Sequence, residues 1–167
     1  MHQITNAHPL LDENGFLTEP GYATSLLLGY DRSAIRANSL RIKEWDYYLV
    51  TCGDFAVALT IDDNSYMGLD SISLIDFRKG WEHTNSPMQI LTHGKKGLPA
   101  SSETGDTSTE GKGYHISFSH EGGFRVLRFR MDRFDDAKSI RGEIRLENLE
   151  QDSMVIATPF PEKRTAF

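Results

Sequence analysis

Between Leu40 and Phe77 the chain reads LRIKEWDYYLVTCGDFAVALTIDDNSYMGLDSISLIDF, and no other stretch limits the fold so tightly. Three runs rich in aromatic and β-branched residues are separated there by Cys52-Gly53-Asp54 and by Asp62-Asp63-Asn64-Ser65, the pattern of a three-strand antiparallel meander. Side chains alternate across a strand, so Phe55, Val57, Leu59 and Ile61 face one way and Ala56, Ala58, Thr60 and Asp62 the other. One face is bulky and apolar; the other is small enough for a second layer or a ligand to approach closely. In the first run Trp45, Tyr47 and Leu49 oppose Asp46, Tyr48 and Val50, and with neither side plainly polar this strand is expected at the centre of its sheet. The third run, Met67 to Phe77, mixes serines with apolar residues, which predicts a curved or bulged strand or one that touches something polar.

The flanking segments read as further short strands and turns. Asn14-Gly15 between two apolar pairs predicts a tight turn, Glu19-Pro20-Gly21 a second, and Asp31 caps one short helical turn through Ser33 to Arg36. After the meander, RKGWEHTNSP is polar and turn-prone, Met88 to Thr92 forms a short strand, and residues 93–113 carry no apolar period and read as a mobile loop. Tyr114, Ile116 and Phe118 alternate with His115, Ser117 and Ser119, and Glu121-Gly122-Gly123 turns this strand into a partner, FRVLRFRMDRF. Ile140, Gly142, Ile144 and Leu146 alternate with Arg141, Glu143, Arg145 and Glu147, whose charges set register more than stability. Met154 to Ala157 closes the series.

Some eight strands, little helix and hairpin connections predict an all-β antiparallel domain, either a lipocalin-like barrel or a curved β-sandwich. A chain of 167 residues buries roughly 70% of its unfolded surface and needs no staples, and its single cysteine, Cys52, permits no internal disulfide. The net charge of −6, with both signs interspersed, disfavours nucleic acid as a partner. Arg125, Arg128, Arg130 and Arg133 cluster, and read as an exposed strand face paired with carboxylates. No apolar run approaches the ~20 residues that span a bilayer, and the N-terminus has no secretory pattern, so the cytoplasm is the expected compartment.

Three segments together resemble a bacterial family, domain of unknown function 2804: LLDENGFLTEPGYA, then RIKEWDYYLV leading into ALTIDDNSYMGLDSISLIDF, then NLEQDSMVIATPFPEKRTAF. The resemblance runs over nearly the whole chain, and implies that members reach about twice this length, so that residues 1–167 form one β-rich domain, the N-terminal half of a two-domain protein. A missing C-terminal domain, and a homodimer that covers the surface it leaves open, are the partners this implies. The family is in turn distantly similar to lipocalin-like carotenoid hydratase proteins, which implies a hydrophobic small molecule, a lipid or isoprenoid, as ligand, and hydratase-like chemistry for the complete protein.

Alkene hydration needs an acid and a base in an apolar cavity, and Asp46 among Trp45, Tyr47 and Tyr48 is the candidate catalytic carboxylate. Trp45, Tyr47, Tyr48, Trp81 and Tyr114 are the candidate ligand-binding residues, lining a cavity or stacking on a sugar in a carbohydrate-binding sandwich. A module that only holds a partner or a second copy is the third reading. No metal site or cofactor is called for: Asp62-Asp63-Asn64 lacks the ligand and glycine positions of a calcium loop, the spacing of His83, His93 and His115 proposes no zinc, and neither a phosphate-cradling glycine loop nor a Gly-x-Ser-x-Gly elbow occurs.

Overall fold

The computed structural model describes residues 2–147 and 152–159. In chain order the strands are β1 (His8–Pro9), β2 (Gly21–Ala23), β3 (Leu28–Gly29), β4 (Glu44–Cys52), β5 (Phe55–Asp63), β6 (Met67–Leu69), β7 (Ser71–Asp76), β8 (Trp81–Asn85), β9 (Met88–Ile90), β10 (Thr107–Gly111), β11 (Tyr114–Glu121), β12 (Phe124–Asp135), β13 (Lys138–Glu147) and β14 (Val155–Ala157). Two 3-10 turns, Arg32–Ala34 and Ser39–Arg41, are the helical content among the described residues. Asp31 caps the first, its carboxylate accepting from the Ser33 backbone at 2.8 Å.

The chain divides into two compact units. The smaller draws on Met1–Asn38, Ala100–Thr104 and Leu149–Phe167. In it β1 runs parallel to β3, β2 pairs antiparallel with β14, and Ile4, Ala23, Leu28 and Ala157 form its buried centre. The expected turn at Asn14-Gly15 is present, with the Asp12 carboxylate accepting from the Asn14 and Phe16 backbones at 2.9 and 2.8 Å.

The larger unit, Ser39–Pro99 with Gly105–Asn148, carries two four-stranded antiparallel sheets in the orders β4-β5-β7-β8 and β10-β11-β12-β13. Their inward residues share one core: Leu59, Ile61 and Ile72 from the first sheet meet Tyr114, Ile116, Phe118, Leu127, Phe129, Met131 and Phe134 from the second. Hairpins make each sheet. Gly53 (φ 57°) turns β4 into β5, and Gly122 and Gly123 (φ 57° and 86°) turn β11 into β12, left-handed positions that match strand twist. The sheets are unclosed among the described residues, so of the two expected architectures this is the curved sandwich.

Five local expectations need correction. β4 is an edge strand, not a central one: Asp46, Tyr48 and Val50 turn inward while Trp45, Tyr47 and Leu49 stand exposed, and those outward aromatics gave the run its doubly buried look. The third run breaks at Asp70, where β6 leaves to pair with β9 while β7 continues the sheet beside β5. Trp81–Asn85 is a strand rather than a turn, and residues 93–113 are not all loop, because Thr107–Gly111 pairs with Tyr114–Phe118. Finally, Arg125 does not share an exposed face with Arg128, Arg130 and Arg133; it is 3% exposed.

Candidate functional site

The candidate residues divide among four places. Trp45 and Tyr47 project from the outer face of the first sheet, 58% and 54% exposed. Cross-strand partners share a face, and the register sets Tyr47 beside Thr60 and Ser71, and Leu49 beside Ala58, Ser73 and Thr84. Hydroxyls are paired along these rows: Ser71 Oγ donates to Thr60 Oγ1 at 2.9 Å, and Ser73 Oγ lies 2.6 Å from Thr84 Oγ1. Buried Ala56 and Ala58 make the floor low between the aromatic edge and the hydroxyls.

Asp46 and Tyr48 point the other way, into one end of the sandwich. Tyr48 packs edge-on against Phe118, centroids 4.7 Å apart, and its hydroxyl accepts from Arg125 Nε at 2.8 Å. Arg125 Nη1 donates to the Gly105 carbonyl at 2.8 Å and lies 2.9 Å from His120 Nδ1. Among the described residues, four buried polar atoms here have no partner: Asp46 Oδ2, Arg125 Nη2, His120 Nε2 and Thr107 Oγ1. Burial raises the Asp46 carboxyl above its ordinary pKa, against the pull of the Arg125 charge. Burial also raises the Tyr48 phenol.

Tyr114 belongs to a third cluster, at the break after β6. Asp70 is fully buried and accepts from Tyr114 Oη at 2.9 Å, from Thr109 Oγ1 at 2.8 Å and from Lys96 Nζ. Gln89 Nε2 reaches Tyr114 Oη at 2.7 Å. Beside it, burial pushes the Asp63 carboxyl up, but hydrogen bonds from Thr92 and from the Gly94, Ser65 and Lys96 backbones outweigh that and hold it below its ordinary value. With Asp70, the Lys96 side chain and Tyr114 all buried and paired, this cluster ties β6, β9, β10 and β11 together away from solvent.

Trp81 lies on β8, at the opposite edge of the first sheet from β4. Its ring stacks on His83, centroids 6.3 Å apart, and His83 Nε2 is bound to the Phe134 carbonyl at 2.8 Å. The structure therefore joins Asp46 with Tyr48 and Trp45 with Tyr47, and sets Tyr114 and Trp81 apart from both pairs.

The outer face of the second sheet holds a shallow depression of about 510 Å³ lined by His115, Arg128, Arg130, Arg141 and Glu143, with Phe129 and Gly142. None of these was a sequence candidate, nor were Arg125, His120 and Thr107. One signal was available: Arg125 shares its strand parity with Leu127, Phe129 and Met131, which marks it as inward. Among the described residues no group of three or more His, Cys, Asp or Glu side chains is placed to hold a metal ion, and no helix is long and apolar enough to cross a membrane.

Fold and surfaces together define an antiparallel β-sandwich with aromatic, hydroxyl and guanidinium groups displayed on its outer faces. The chain belongs to the family described as Domain of unknown function (DUF2804), whose profile matches residues 1–167. No curated protein and no solved structure matches it.

Proposed function

We propose that this chain is a carbohydrate-binding β-sandwich that takes a glycan across the outer face of its first sheet. The observation that carries this reading is the exposed Trp45–Tyr47 pair beside two rows of paired hydroxyls. Aromatic faces two residues apart on a strand lie ~7 Å from one another and stack on the C–H faces of sugar rings, while neighbouring hydroxyls both donate and accept. Buried apolar side chains of both sheets form one shared core between them, which favours a ligand outside. Titration of a soluble oligosaccharide panel, followed by tryptophan fluorescence and calorimetry, tests it. A saccharide that binds the native chain and Trp81→Ala but not Trp45→Ala supports the reading; no response to any saccharide overturns it.

A second reading, a bacterial lipocalin-like half of an isoprenoid hydratase with its C-terminal partner, is favoured by Asp46. Its raised carboxyl, with one oxygen unpartnered, suits a general acid for an alkene. Saturable binding of an isoprenoid alcohol that Asp46→Asn alters would support it, and indifference of native chain and variant alike would remove it.

A further inference from the structure

Side chains directly opposite one another across antiparallel strands lie close, and like charges there are unfavourable. On the outer face of the second sheet, Arg130 of β12 stands opposite Arg141 of β13, and on its other side opposite His115 of β11. Most neighbouring charges are already engaged. Arg128 binds Glu121 through both terminal nitrogens and donates from Nε to Glu143 at 2.8 Å, and Arg145 lies 5.3 Å over the Phe124 ring and 3.7 Å from Glu143. Among the described residues, Arg130 has only Asp132, at 4.0 Å, and Arg141 has no carboxylate partner. Two guanidinium groups thus remain largely uncompensated on a chain whose net charge is −6.

These two line the depression of about 510 Å³, within the size range of small-molecule sites. Gly142, between Arg141 and Glu143, faces the core, where the Phe129 ring covers it, so on the outer side the two charged neighbours flank the depression. Planar guanidinium forks match the paired oxygens of carboxylate, phosphate and sulfate, and a tetrahedral oxyanion offers such pairs to two forks at once, while Arg128, fixed by two carboxylates, makes a rigid wall. We propose that this depression binds a small molecule through a tetrahedral oxyanion, a phosphate or sulfate ester, held between Arg130 and Arg141 with His115 at its side. Glu110, next to His115 on β10, and Glu143 limit the site to one such group by repelling further negative charge.

Titration of the 167-residue chain with inorganic phosphate, with inorganic sulfate and with sodium chloride at matched ionic strength, followed by backbone amide shifts, tests this. The expected result is saturable movement of the amides around 128–130 and 141–143 by an oxyanion and not by chloride, the tighter of phosphate and sulfate naming the ester. Arg130→Gln and Arg141→Gln each weaken the binding by about tenfold or more, since each removes a charge-assisted contact. Both side chains are exposed, so circular dichroism stays native; Arg141→Lys, which keeps the charge and loses the fork, gives an intermediate affinity. Equal response to chloride, shifts scattered away from the depression, or native affinity in Arg141→Gln each overturns the proposal.

Discussion

Arg125 of the second sheet donates from Nε to the hydroxyl of Tyr48 in the first, 2.8 Å away, and its guanidinium carbon lies 5.5 Å from the centre of the same ring. A buried arginine is tolerated when its donors are spoken for, and two of its three nitrogens are. Replacing Arg125 by Met leaves the Tyr48 hydroxyl and the Gly105 carbonyl without this donor and is expected to cost about 2–4 kcal/mol. Tyr48→Phe removes one bond and keeps the packing on Phe118, for about 1 kcal/mol. Urea unfolding of the two variants checks the ranking; equal losses would mean that packing, not the guanidinium, joins the sheets there.

Asp70 gives the larger effect. Its carboxylate is fully buried, and Lys96 is the cation that balances it, so Lys96→Met strands a charge in the core and is expected to cost about 3–5 kcal/mol. Tyr114→Phe withdraws one donor of several and costs about 1 kcal/mol. A double-mutant cycle on Asp70 and Lys96 should return strong coupling, with Asp70→Asn/Lys96→Met far better than the sum of the single changes.

Two carboxylates respond to pH in opposite senses. Asp46 is raised above 3.8 by burial, so its contribution to stability is complete below that value and is lost as pH rises through the folded-state value. Asp46→Asn should therefore equal the native chain in acid and exceed it near neutrality. Glu121 is held down to about 2, chiefly by hydrogen bonds from Arg128 and then Ser119, so its contribution is present above 4.5 and lost as pH falls toward 2. Glu121→Gln should be the weaker protein near neutrality and match the native chain in strong acid. Urea midpoints across this range decide both.

What the sequence revealed and what it hid follow from distance along the chain. Alternation is local, so the inward and outward sets of β11 and β13 were legible, as were the hairpins at Gly53 and Gly122-Gly123. The break at Asp70 was not, because the groups that hold its carboxylate, Lys96, Thr109 and Tyr114, lie 26, 39 and 44 positions away. Thr107–Gly111 looked like loop for a related reason: a strand of Thr, Ser, Glu and Gly has no apolar signature, and pairing with β11 alone makes it one. Among the candidate residues, period 2 separated Trp45 from Asp46 correctly, but nothing in it said that β4 lies at an edge or that the face carrying Trp45 and Tyr47 is exposed.

Glycine replacements distinguish steric from conformational cost. Gly142 lies opposite Phe129, and a methyl group added there would stand 2.5 Å from the ring's Cζ; Gly111 is covered in the same way by Tyr114. An aromatic ring over a cross-strand glycine fills the hole that the glycine leaves in the sheet. Phe129 is packed into the core and cannot swing clear, so Gly142→Ala is expected to cost about 1–3 kcal/mol as overpacking. Gly111→Ala should cost more, because displacing the Tyr114 ring also pulls its hydroxyl from Asp70. Gly53→Ala is the control: its added methyl meets open space, and the left-handed φ of 57° alone sets a penalty of about 1–2 kcal/mol. Pairing each change with a smaller ring partner discriminates the causes. Phe129→Leu should recover much of the loss in Gly142→Ala, whereas no neighbour should rescue Gly53→Ala. Rescue at both positions, or at neither, would mean that the rings do not set the close approach of these strands.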